Sequence, residues 1–200
     1  MISTQRYYCK KAILITLILL SAINVFTKTN YAANTDMMKI FCIIPIGHID
    51  DKTLQHTQKE LEKRFNVIVE CGRQLEEPTY AYHKHKKQYN STTILKKIYK
   101  LKLTGYDRIL GIVDVDLYVP ERTFVFGGAD VKKKVSVISL TRLRQEFYDL
   151  PDDSALFKYR TIIEAVHELG HTYGLYHCKN SKCVMFLSNT IGDTDHKGAE

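Results

Sequence analysis

Apolar, β-branched runs interleaved with amphipathic helical stretches predict one α/β domain, bordering on α+β, built on a mixed, mostly parallel sheet of five strands. The balance of 44% hydrophobic and 26% charged positions is that of a globular domain. Its 200 residues are enough to bury a sizeable core. Disorder, collagen and coiled coil are excluded, and no internal repeat or low-complexity tract follows residue 33.

Residues 1–33 read as a targeting segment, with a basic start (Arg6, Lys10, Lys11) and an apolar run over 12–26 broken by Thr16, Ser21 and Asn24. The run is shorter than the roughly 20 residues a bilayer span needs. A cleaved signal peptide is expected, cut at Ala32 or Ala33, with a signal anchor as the alternative. The leader also holds four basic residues and no acid, leaving 25 basic against 22 acidic residues in the remainder. A net +3 without a concentrated basic stripe excludes a dedicated nucleic-acid binder. Export (periplasmic or secreted) is the expected location. Membrane attachment would arise only through an uncleaved leader.

Cys9 lies in the leader; Cys42, Cys71, Cys178 and Cys183 follow it. In an exported protein these four can make two disulfides, whereas in a cytosolic one the close pair Cys178 and Cys183 suits metal.

Residues 39–46 form an apolar run closed by Pro45 and Gly47, a buried strand. Leu54, Leu61 and Phe65 then share one helical face over 52–65, capped by Asp50 or Asp51. Residues 66–71 are the next strand. Residues 73–90 are polar and read as a loop; His83 and His85 have metal-ligand spacing, but Lys84, Lys86 and Lys87 make this a solvated basic stretch. Ser91–Thr93 cap the next helix, which buries Ile94, Leu95, Ile98 and Leu101. Residues 108–119 predict a central strand ending in alternation, with Asp114 and Asp116 on one face as satisfied loop-end carboxylates. Segments 123–129 and 135–140 complete the five strands.

The chemistry lies in His167-Glu168-Leu-Gly-His171-Thr-Tyr-Gly174-Leu-Tyr-His177. At about 100° per residue, Ile162, Val166, Leu169 and Tyr173 form one stripe, and His167 and His171 lie roughly 140° from its centre, pointing off the core. Imidazoles at i and i+4 can reach one ion at about 2.0–2.1 Å each. On an unbroken helix His177 would stand about 9 Å further along the axis than His171, beyond a shared ion. The chain must turn, and Gly174 is placed to supply the turn. The expected result is a His₃ zinc site with its fourth position left to water, the arrangement of catalytic zinc. Glu168, beside the first ligand, is the expected general base for peptide-bond hydrolysis. Met185, alone, reads as core filling.

With these residues in view, the sequence resembles the archaemetzincins, a branch of the metzincin metallopeptidases with the pattern HExxHxxGxxHC, four residues, CxM and later CxxC. HELGHTYGLYHCKNSKCVM matches the first part without a gap, and AY…QY, DVDLYVPERTFVFGGA, VISLTRLR and SNTIGDTDHK extend the likeness over residues 38–200. The resemblance implies a single metallopeptidase domain over 38–200, with a metzincin-like twisted sheet, a backing helix and an active-site helix. It implies zinc on His167, His171 and His177, Glu168 as base, and Met185 in a turn beneath the metal. An antiparallel edge strand near 123–129 would pair with an extended peptide or protein substrate.

The family's CxxC would fall roughly seventeen residues past Met185, beyond Glu200. Cys178 and Cys183 would then be two ligands of a second, structural zinc in a chain truncated before the rest, or a disulfide. A start at Met37 or Met38, just before KIFCIIPIG, gives a cytoplasmic alternative. The competing functional class is a zinc-binding protein of this fold without turnover, against which Glu168 argues; a membrane-anchored interaction protein is the third.

Overall fold

The computed structural model describes residues 38–198. The leader over 1–33, including Cys9, lies outside them. Five strands form the main sheet in the order β2-β1-β5-β9-β8, which is the expected five-stranded mixed sheet. β1 (Ile40–Ile46), β2 (Ile68–Cys71), β5 (Arg108–Val113) and β9 (Val135–Ser139) are parallel, and β8 (Gly127–Asp130) runs antiparallel at the edge.

β1 is buried on both faces, as its unbroken apolar run requires. Phe41 and Ile43 face one layer with Leu110, Ile112 and Ile138, against Leu54 and Leu61 of α1 (Asp51–Phe65) and Ala165 and Leu169 of α3 (Ser154–Thr172). Cys42, Ile44 and Ile46 face the other layer with Val135 and Val137, against Ile94, Leu95 and Ile98 of α2 (Ser91–Lys100). Helices thus cover both faces of the sheet. Each begins at a side-chain cap: Asp50 accepts from Thr53 N at 2.9 Å, Asn90 from Thr93 N at 2.9 Å, and Asp153 from Leu156 N at 2.9 Å. The cap of α2 is thus Asn90 and not the expected Ser91–Thr93, which already form the first helical turn. Leu101, expected inside with its helix mates, is only half-buried because α2 ends before it.

Four expectations of strand placement are corrected. Residues 73–90 are not loop throughout: β3 (Tyr82–His83) and β4 (Gln88–Asn90) join β6 (Leu117–Val119) and β7 (Arg122–Val125) in a second, four-stranded sheet. These strands are too short to carry a readable alternation. Residues 108–119 do not form one strand, because Asp114 and Asp116 could not continue a strand buried on both faces. They leave it to meet guanidinium groups, Asp114 with Arg144 at 2.7 Å and Asp116 with Arg142 at 2.5 Å, and are satisfied as expected. Residues 123–129 likewise divide between β7 and β8 around Phe126. The strand placed at 66–71 starts at Ile68, since Asn66 (φ 50) takes the left-handed conformation that ends α1.

The short α4 (Ile191–Asp195) is started by a capping box between Thr190 and Asp193. It lies against α3, where Asp195 receives the Arg160 guanidinium through two contacts of 2.6 and 2.8 Å, and Arg160 also donates to Leu143 O at 3.0 Å. Arg160 is 3% exposed. Asp195→Ala should strand that charge and lower stability by about 2–4 kcal/mol, read as a lower urea midpoint with unchanged denaturant slope.

Candidate active site

α3 carries the histidine motif and ends where the sequence places the turn. Gly174 (φ 84) donates its N–H to His171 O at 2.8 Å, and Leu175 N–H donates to Gly170 O at 3.2 Å. This is the Schellman closure that a left-handed glycine permits. The reversal brings the His177 ring to 4.8 Å from that of His171 and 5.4 Å from that of His167, between centroids. The ligating atoms of the three lie within 4.8 Å of one another, the one such cluster among the described residues.

Their tautomers follow from their partners. His167 Nδ1 lies 2.7 Å from Val184 O, and His171 Nδ1 lies 2.7 Å from Leu175 O. Carbonyl oxygens only accept, so each Nδ1 is assigned the proton and each Nε2 presents a lone pair. The two Nε2 atoms stand 3.1 Å apart, a repulsive approach unless a cation lies between them. Nitrogens about 2.0–2.1 Å from one tetrahedral ion are about 3.3 Å from each other, so this donor set fits zinc. Burial, with Lys197 adding repulsion, pushes His167 down to about 3. Its ring therefore stays neutral and ready to ligate at any physiological pH. Burial and the neighbouring His171 lower His177 in the same sense.

The expectation that the helical histidines point away from the core needs correction for His167, which is 5% exposed. The returning chain covers it through Val184, a contact invisible to helical periodicity. Tyr173, placed on the buried stripe, is 37% exposed; it caps the helix, lies under the Arg108 guanidinium at 3.8 Å and donates to Asp107 Oδ2 at 2.9 Å.

Glu168 lies at the groove beside the triad, a hollow of about 200 Å³ between α3 and the segment from Phe124 to Ala129. Burial pushes its carboxyl well above the usual range; Glu164 reinforces this and Lys197 opposes it. Met185 is buried and packs against Gly170, where an added Cβ would fall 2.6 Å from its Sδ. Cys178 and Cys183 flank that turn as free thiols, with Cys178 N–H donating to Met185 O at 2.9 Å. The structure therefore gathers His167, His171, His177, Glu168 and Met185 at one place. His83 and His85 sit in the β3–β4 hairpin, apart from it.

Sequence reasoning missed three residues. Glu164, one turn before Glu168, is 2% exposed; it accepts from Thr194 Oγ1 at 3.0 Å and pairs with the wholly buried Lys197 at 3.5 Å. The spacing of four from Glu168 was a usable signal for Glu164, but nothing local foretells Lys197. Gly127 is the third: an added Cβ would lie 2.6 Å from both Glu168 Cγ and Val137 O.

With this geometry in place, the family-level comparisons agree. The model of Peptidase family M54 matches residues 62–200. The archaemetzincin of Methanocaldococcus jannaschii is 42% identical over 161 residues, covering 80% of this chain and 87% of the relative. Among solved structures, the archaemetzincin of Archaeoglobus fulgidus complexed with malonate is 34% identical with a TM-score of 0.69, over 80% of this chain and 93% of its own. A zinc-dependent peptidase from Methanocorpusculum labreanum is 25% identical with a TM-score of 0.73, over 80% and 94%. A mixed sheet presenting three imidazoles that a cation reconciles is thus the framework of a zinc metallopeptidase, a hydrolase of peptide bonds. The chain belongs to peptidase family M54, the archaemetzincins.

Gly127→Ala should lower stability by about 1–3 kcal/mol, because the backbone oxygen of Val137 cannot move aside. Gly128→Ala, whose Cβ meets nothing nearer than 3.6 Å, should cost less than about 1 kcal/mol. Urea unfolding of the two variants checks the contrast.

Proposed function

We propose that His167, His171 and His177 hold one catalytic zinc and that Glu168 is the general base of peptide hydrolysis. The observation that carries this reading is the 3.1 Å approach of two assigned lone pairs in the groove that Glu168 also lines. Zinc bound there supplies Lewis acidity, lowering the pKa of a water and polarising the scissile carbonyl.

The protein's own groups divide the remaining work. No hydrogen bond from the described residues ties down the Glu168 carboxylate, which leaves its oxygens free to accept a proton in the groove and pass it to the leaving amine. The Val184 and Leu175 carbonyls fix the orientation of two rings. Among the described residues β8 pairs only with β9, so its other edge beside the groove can take an extended peptide as a further strand. Met185 against Gly170 supports the metal-bearing helix from below.

Among the described residues no helix is long and apolar enough to cross a membrane. Export through the leader over residues 1–33 remains part of the proposal, as does a second zinc on Cys178 and Cys183.

Glu168→Ala should keep its zinc, measured by elemental analysis, while peptidase activity falls by several orders of magnitude. Equal activity in both proteins would remove Glu168 from its assigned role, and a zinc-loaded wild type that cleaves no peptide would favour binding without turnover. His171→Ala should lose the metal. Zinc near one per chain would mean the histidine site alone; near two would mean that the cysteine pair also coordinates.

A further inference from the structure

Beside the groove at the triad lies a second hollow of about 260 Å³, lined by Arg122, Thr123, Phe124, Ser188 and Asn189. Arg122, Phe124 and Ser188 line both spaces, so the two adjoin. Arg122 is the charged residue on the wall of this second hollow.

Its bonding differs from that of most arginines among the described residues. Arg64, Arg108, Arg142, Arg144 and Arg160 each have a carboxylate oxygen within 3.1 Å. Arg122 instead donates one Nη1 bond of 3.0 Å to the neutral Asn189 Oδ1. A guanidinium has five N–H donors in a planar fork suited to a carboxylate, and most of those here remain available.

The surroundings favour an anionic guest. Phe124 is held by the Arg142 guanidinium at 4.1 Å, and the charge of Arg142 is already matched by Asp116. That wall is fixed and apolar. The rim is the neutral pair Ser188 and Asn189. Among the described residues no acid lines the second hollow; of the two that line the groove beside it, Glu164 is paired with Lys197 and Glu168 lies beside the triad. Glu121, next to Arg122 in the chain, is exposed and makes no ion pair with it.

We propose that Arg122 recognises a carboxylate on the peptide substrate close to the scissile bond, seated in the hollow beside the histidine triad and taking up the donors that Asn189 leaves free. The inference rests on the groove being a peptidase cleft. The carboxylate has two sources, an aspartate or glutamate side chain or the free C-terminus of a short peptide. A charge-assisted pair on an exposed guanidinium should favour such peptides about tenfold over neutral ones.

The test uses the full chain and internally quenched peptide pairs that differ only by glutamate against glutamine at one position, or by a free against an amidated C-terminus. Turnover gives kcat/KM for wild type, and fluorescence anisotropy gives Kd for the catalytically blocked Glu168→Gln protein, each with and without Arg122→Gln. The expected result is an approximately tenfold preference for the carboxylate member in both measurements, falling below about twofold with Arg122→Gln. Arg122→Glu should turn the preference toward lysine. The pair that shows the preference names the source. Equal treatment of every pair, or a preference that survives Arg122→Gln, overturns the inference. Turnover without preference would defeat this assignment alone; preference in Kd without turnover would uphold it and defeat the proposed hydrolysis.

Discussion

Two imidazole lone pairs facing each other across 3.1 Å are the constraint around which the molecule is arranged. Helical spacing brings the rings of His167 and His171 onto one face, but spacing alone leaves each free to rotate and to exchange tautomers. The Leu175 carbonyl that holds His171 is placed by the glycine closure of α3, and the Val184 carbonyl that holds His167 by the turn carrying Met185. The third ring arrives through the same closure. Caps and turns that look like connections are therefore parts of the histidine cluster, since a change in either would release a proton position as well as a backbone angle.

Around this centre the fold tolerates buried charge. Glu164 with Lys197 and Arg160 with Asp195 fasten the last described segment to α3, and the Tyr159 hydroxyl donates to the Lys197 carbonyl. Buried ion pairs seldom add net stability over apolar packing of the same shape. Their effect here is to fix which segment lies behind Glu168 and at what depth. Gly127 and Gly170 complete the arrangement by omission: side chains there would collide with Glu168 and with Met185.

Much of the fold was legible because its long elements repeat a period. β1 and most of β5 are apolar runs buried on both faces, and α1 and α2 carry clear stripes, the first behind the expected Asp50 cap. The second sheet escaped because β3, β4 and β6 have two or three residues each, too few for alternation to register. The broken strand after Val113 was missed for a different reason. Asp114 and Asp116 alternate correctly for a sheet, and only the arrival of Arg142 and Arg144 from distant positions shows that the chain has left it.

The amino-acid sequence determined the three-histidine cluster, the glutamate beside it and the turn that unites them, because these depend on separations of four and six residues governed by helix geometry and by one glycine. It also carried the family pattern and the five-stranded architecture. Tertiary structure decided the tautomers, the burial of His167, the ion pair of Glu164 with Lys197, the need for Gly127 and the position of Arg122 beside the triad. Each of these joins residues far apart in the chain, and the distance between such residues is set by how sheets and helices pack, not by any local period.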